Sequence, residues 1–249
     1  MKQLFTLCAI ALLLASCATG GSKLKEKQSD IYFSAGVESL QRGDYTDALR
    51  ALKESVKLNP KSAEGWSNLG LAYAGKKEFA RAESSWKKTL DVDSSFTDAH
   101  LNLGALYMEQ KRYPLAEQEL RAAMKDLTYG KSSQVKFNLG LLYSKQGKNL
   151  LAQQYFKLAV KEDDGFCPAW FQLAQIQKSQ DNLDEAASSY KKSLTGPCFN
   201  NPRAHYELGE IYLKAKEPAL AKSKLLEIIQ FFPSTDWARK AEITLNTIR

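Results

Sequence analysis

One pattern returns along this chain about every 34 residues, and it constrains the fold more than any other feature. A small residue stands at Gly36, Gly70, Gly104, Gly140, Ala174 and Gly209, each preceded by Ala35, Leu69, Leu103, Leu139, Leu173 or Leu208. Three residues later come Ser39, Tyr73, Tyr107, Tyr143, Gln177 and Tyr212. A second small residue follows at Ala48, Ala82, Ala116, Ala152, Ala186 and Ala221, and one helical turn beyond it Leu52, Trp86, Leu120, Phe156, Tyr190 and Leu225. Glycine inside a helix costs about 1 kcal/mol relative to alanine, so its return at one register needs a packing reason. Close approach of an antiparallel partner helix, near that helix's own small residue, is the expected one. Gly43 and Gly147 fall between paired helices, where a left-handed residue is useful. Pro114 and Pro218 stand in the first turn of second helices, where a missing donor does little harm.

This helix–turn–helix spacing resembles the tetratricopeptide repeat (TPR). The fold class it implies is all-α: a right-handed superhelical solenoid of six TPR helix–turn–helix repeats plus a C-terminal capping helix. The repeats occupy 29–235, as 29–62, 63–96, 97–132, 133–166, 167–201 and 202–235. The cap, 236–249, carries Trp237, Ala241, Leu245 and Ile248 at helical spacing. Two junctions are longer than the norm, Leu127 to Ser132 and Thr195 to Pro202. Hydrophobic residues at 44% suffice for a continuous core. The net charge of +7 is spread over single lysines and short pairs such as Lys76-Lys77, Lys87-Lys88 and Lys191-Lys192. Nucleic-acid binding calls for a clustered basic stripe with stacking aromatics, so no nucleic-acid partner is expected.

Residues 1–16 read as a secretory signal: Lys2, then an apolar run from Leu4 to Leu14 that is shorter than the ~20 residues of a membrane span. Leu14-Ala15-Ser16-Cys17 resembles the lipobox of bacterial lipoproteins. The resemblance implies cleavage before Cys17 and a covalent lipid on its thiol; an ordinary signal peptide that contains Cys is the alternative. Ala18, where Asp would signal inner-membrane retention, implies the outer membrane of a Gram-negative bacterium, lipid-anchored and facing the periplasm. Residues 17–28 are the acylated Cys and a Gly/Ser/Lys-rich stretch expected to be a flexible tether.

Cys8 leaves with the signal, so Cys167 and Cys198 remain, near the start of one helix and the end of its antiparallel partner. A disulfide is expected in an oxidising compartment, with free thiols as the alternative. His100 and His205 occupy the position held elsewhere by Trp66 and Trp170, which favours packing over metal ligation, and no pair has zinc-site spacing. Gly130-Lys131-Ser132 ends like a P-loop, but Lys125 replaces its first glycine. GxSxG and HExxH are absent. No enzyme activity, metal, small-molecule substrate or cofactor other than the lipid is expected.

First helices of such repeats line a concave surface. The expected partner-binding groove comprises Phe33, Asn68, Leu71, Leu101, Asn102, Phe137, Asn138, Leu141, Phe171 and Tyr206, and suits an apolar strand or helix. Packing between repeats is the competing account of the aromatics. Lipobox, short tether and repeats, together with Leu106 to Tyr113 and the lengthened junction before Val135 to Leu141, resemble the pilotin lipoproteins of type IV pilus secretins, the PilF/PilW/Tgl family. The resemblance covers nearly all of the mature chain. It implies an outer-membrane-anchored scaffold that binds secretin subunits and promotes their localisation or multimer assembly in type IV pilus biogenesis. Cys167, Cys198 and the longer junction before the sixth repeat depart from the family pattern. A TPR lipoprotein adaptor for peptidoglycan hydrolases or other envelope machinery is the second reading.

Overall fold

Five glycines stand against a large side chain of the following helix, and these contacts set how closely paired helices approach. A Cβ built on Gly36 would lie 2.5 Å from Leu52 Cγ, one on Gly104 2.6 Å from Leu120 Cγ, and one on Gly140 2.5 Å from Phe156. Gly70 is pressed in the same way against the Trp86 indole, whereas Gly209 has more room, with Leu225 at 3.4 Å. In the fifth repeat Ala174 takes the place of glycine, and it and Tyr190 are both fully buried. The tight contact is therefore with the large residue one turn beyond the small one, not with the small residue itself. Ala48, Ala82, Ala116, Ala152, Ala186 and Ala221 are each wholly buried.

The computed structural model describes residues 23–248, and among these there is no strand. The expected signal, Cys17 and Ala18 lie outside the described residues. Two compact units meet between Asp126 and Leu127 in sequence. The first contains the hairpins α1 (23–41) with α2 (Tyr45–Leu58), α3 (Ala63–Gly75) with α4 (Phe79–Val92), and α5 (Thr97–Glu109) with α6 (Tyr113–Ala123). The second contains α7 (Ser132–Lys145) with α8 (Asn149–Glu162), α9 (Cys167–Ser179) with α10 (Leu183–Ser193), and α11 (Pro202–Lys214) with α12 (Pro218–Phe231). A 3₁₀ turn, Gly196–Phe199, precedes α11, and α13 (Asp236–Leu245) closes the unit. There Ala238 and Ala241 join Leu225 and Ile228 in one core cluster, flanked by Tyr206, Trp237 and Leu245. Residues 23–28, expected as tether, are helical instead. Lys, Leu, Glu and Gln are good helix formers, and α1 continues straight into the packed segment where Ser29 donates to the Ser55 carbonyl at 3.0 Å.

Every hairpin turns at one left-handed residue: Gly43 (φ 77°), Lys77 (61°), Lys111 (59°), Gly147 (73°), Asp181 (62°) and Lys216 (60°). The next residue's N–H then returns to a carbonyl five positions earlier, as in Asp44 to Ser39 at 2.9 Å, Arg112 to Tyr107 at 2.8 Å and Glu217 to Tyr212 at 2.8 Å. This closure satisfies helix-end carbonyls, and its geometry, not the residue type, is what repeats. A side chain in this conformation is disfavoured by about 1 kcal/mol. Lys77→Gly, Lys111→Gly and Lys216→Gly are therefore each expected to raise stability by about 0.5–1 kcal/mol. Denaturant midpoints of the single and triple variants measure it; lowered midpoints would count against the account.

Candidate binding surface

The fourth residue of the first helix does the same work in four repeats. Trp66 Nε1 donates to the Pro60 carbonyl at 2.9 Å and Trp170 Nε1 to the Asp164 carbonyl at 2.8 Å. His100 Nε2 lies 3.1 Å from the Ser94 carbonyl, and His205 Nε2 2.9 Å from that of Phe199. In each case the ring reaches back six residues and fastens the linker to the helix that follows it. The fourth repeat has Lys136 there, after the lengthened junction, and this lysine pairs with Glu162 instead. Burial lowers its pKa.

Both histidines are thus part of the framework. His100 Nδ1 is 2.6 Å from Glu119 Oε2, and this hydrogen bond holds the imidazole pKa above its ordinary value. His205 is wholly buried, edge-on to Phe199 with ring centroids 4.6 Å apart. Its burial outweighs the Phe199 carbonyl and the Glu227 carboxylate 3.0 Å from Nδ1, and pushes its pKa down. Nδ1 lies near Glu227 but outside hydrogen-bonding geometry.

The residues expected to line a groove divide by position. Leu101 is 5% exposed and Asn138 9%, so both belong to the core. The Asn68 amide donates to the Glu64 carbonyl of its own helix at 2.9 Å. Phe33 packs on the Ala48–Leu52 cluster. The other aromatics bridge to the next structural layer: Phe137 meets Phe156 at 5.7 Å and Phe166 at 5.3 Å. Phe171 meets Tyr190 at 5.8 Å, with the Arg203 guanidinium 5.4 Å from its ring. Tyr206 stacks 5.4 Å from Trp237 and shares a 3.0 Å hydrogen bond with Thr244. One residue past that register position, Phe137, Phe171 and Tyr206 pack on their own hairpin or on the element that follows and are half-buried, which explains the correction. Leu71 is exposed in the first unit, and Asn102 and, in the second unit, Leu141 are half-buried. Phe137→Ala and Phe171→Ala are each expected to cost about 2–3 kcal/mol of stability, and Leu71→Ala less than about 0.5 kcal/mol. Urea titration of the three variants checks this ordering.

Two charged clusters, which the sequence pattern did not mark as such, join successive hairpins. In the first unit Glu83 of α4 accepts from Tyr107 Oη at 3.0 Å and Arg112 at 2.8 Å, with Lys87 at 2.7 Å, while Arg112 also lies 4.3 Å over the Tyr107 ring. Burial acts to raise the Glu83 pKa, but the hydrogen bonds from Lys87, Arg112 and Tyr107 win and hold it at about 2. In the second unit Lys178 of α9 bonds Glu207 at 2.6 Å and Glu210 at 2.8 Å on α11. The only sequence signal was that Tyr107 and Arg112 lie inside the Leu106 to Tyr113 stretch. A carboxylate with a depressed folded pKa stabilises above its unfolded value, 4.5, and the contribution fades as pH falls toward about 2. Glu83→Gln should therefore cost about 1–2 kcal/mol at neutral pH and converge on the wild type in acid. Chemical denaturation at several pH values tests this; a difference independent of pH would exclude it.

Cys167 and Cys198 form a disulfide, with Cα atoms 6.1 Å apart and a sequence separation of 31. Beside it a depression of about 300 Å³ is lined by Phe171, Gln172, Ser193 and Asn201. A larger open crevice of about 580 Å³ runs between α8 and α10, with Trp170, Leu173 and Gln177 as its floor and Lys157, Lys161 and Glu185 on its sides. Apolar floors with charged rims accept side chains of a polypeptide.

Models of the tetratricopeptide repeat match residues 38–77, 75–126, 133–165 and 168–195. No curated protein matches the chain. Among solved structures, PilF of Pseudomonas aeruginosa is similar at 24% identity and a TM-score of 0.78, over 88% of this chain and 99% of that one. PilW, described as a widely conserved type IV pilus biogenesis factor, is similar at 20% identity and 0.74, over 85% and 97%. YrrB, a TPR protein with an unusual peptide-binding site, is similar at 23% identity and 0.58, over 78% and 99%. The helical hairpins, their recurrent glycine contacts and the matched repeat models together assign the chain to the tetratricopeptide repeat proteins.

Proposed function

We propose that this chain is a non-enzymatic TPR scaffold of type IV pilus biogenesis. Anchored in the outer membrane through a lipid on Cys17 and facing the periplasm, it binds secretin subunits and promotes their localisation or assembly into multimers. The observation that carries the reading is the end-to-end match to PilF and PilW, which spans 99% and 97% of those chains. Their fold is shared, not merely a few repeats. The sequence Leu14-Ala15-Ser16-Cys17 adds the anchor. Anchoring confines scaffold and membrane-bound client to a thin layer, raising their effective concentration without any new contact.

No bond need be made or broken for this role. The side chains that sequence reasoning placed in one groove are largely committed to packing, so recognition falls to what they leave exposed, Leu71 in one unit and the crevice over Trp170 in the other. Deletion of the gene is expected to leave secretin subunits unassembled, seen as loss of the detergent-resistant multimer on gels. Cys17→Ala should reproduce the defect with the scaffold displaced from the outer-membrane fraction. Normal multimers together with altered cell-wall cleavage would instead identify an adaptor of peptidoglycan hydrolases.

A further inference from the structure

The first hairpin leaves an apolar face where an earlier repeat would stack. On α1 the side turned to α2 carries Ser29, Phe33, Gly36 and Leu40, and the Ser29 hydroxyl is tied to Ser55. On the opposite side Leu24 is 59% and Ile31 68% exposed, with Tyr32 beside them at 42%. Along the flank of that face a depression of about 300 Å³ lies between Gln28, Ile31 and Tyr32 of α1 and Glu54 and Leu58 at the end of α2. Solenoid ends ordinarily present a polar outer face, and scattered exposed leucines would need no explanation. Here Leu24 and Ile31 share one helical face, two turns apart, with Tyr32 on its flank.

We propose that this face of α1 lies on the phospholipid surface next to the anchor, as an interfacial helix that orients the protein on the bilayer. The inference rests on acylation of Cys17. Residues 18–22 alone separate Cys17 from the first described residue, Lys23, a span of at most about 20 Å even when fully extended. An acylated chain therefore holds the start of α1 at the membrane whatever the rest of the protein does. Exposed lysines at 23, 25 and 27, with Glu26 as the acidic residue among them, place excess positive charge at that end, where anionic headgroups attract it. Leucine, isoleucine and tyrosine are the side chains such a helix sinks into the headgroup boundary. Lipid thus fits the face in reach, charge and polarity together.

The test uses the full chain, processed in bacteria and reconstituted into vesicles of phosphatidylethanolamine with phosphatidylglycerol. Tyr32→Trp provides a reporter on the flank of the exposed face, read as the emission added over the wild type with its four tryptophans. Brominated phospholipids are expected to quench that added emission at least about twofold. In Leu24→Glu/Ile31→Glu, made in the same background, the protein should still float with the vesicles but lose the quenching. Floating protein with unquenched emission overturns the inference while leaving the anchor intact, and is the result if a second copy or residues 18–22 cover the face. Protein that fails to float removes the Cys17 reading and the inference with it.

Discussion

The fit of a large side chain against a bare backbone is the interaction on which the rest of this structure depends. Each hairpin is two helices drawn together until Leu52, Trp86, Leu120, Phe156 or Leu225 rests on the glycine opposite. At Gly36, Gly70, Gly104 and Gly140 the packing leaves no slack for an added methyl, so there the glycine registers the two helices axially as well as in separation. That register delivers the left-handed turn to the same place each time, and the turn in turn fixes where the next helix starts. In the fifth hairpin Ala174 stands at the glycine position, and it and Tyr190 are both fully buried.

A second layer of constraint runs between hairpins and is chemically less uniform. Indole or imidazole fastens the linker in four repeats, a carboxylate gathers Tyr107, Arg112 and Lys87 in one place, and a lysine bridges two glutamates in another. These contacts use different residues for one mechanical purpose. The ring is missing at Lys136, after one of the two lengthened junctions, but it is kept at His205 after the other.

This division explains what the sequence disclosed. Intra-hairpin packing repeats at a fixed spacing with similar residue types, so the glycine, tyrosine and alanine registers reveal the helices and their pairing. Inter-hairpin packing does not. Phe137, Phe171 and Tyr206 stand one position past the fastening ring and look like groove residues on a helical wheel; only the presence of Phe166, Arg203 and Trp237 in the next element turns them inward. Leu101, also placed in the groove, is buried as well. The left-handed turns were legible at Gly43 and Gly147 but not at Lys77, Lys111, Asp181 and Lys216, because closure of the helix end tolerates a side chain at modest cost. The helix over 23–28 was hidden by its polar composition, which suits a tether and a solvated helix equally.

The disulfide has a mechanical meaning beyond folding. Each hairpin of a repeat array contacts only its neighbours, so tension applied to the chain ends would peel off one hairpin after another from the loose end. Cys167 and Cys198 enclose α9 and α10 in a covalent loop, so force transmitted along the chain bypasses those residues altogether. Peeling from the C-terminus can extend α13, α12 and α11 and then meets a bond that tension does not lengthen. The loop withholds roughly 100 Å of contour from stretching, and the hairpin inside it bears no load.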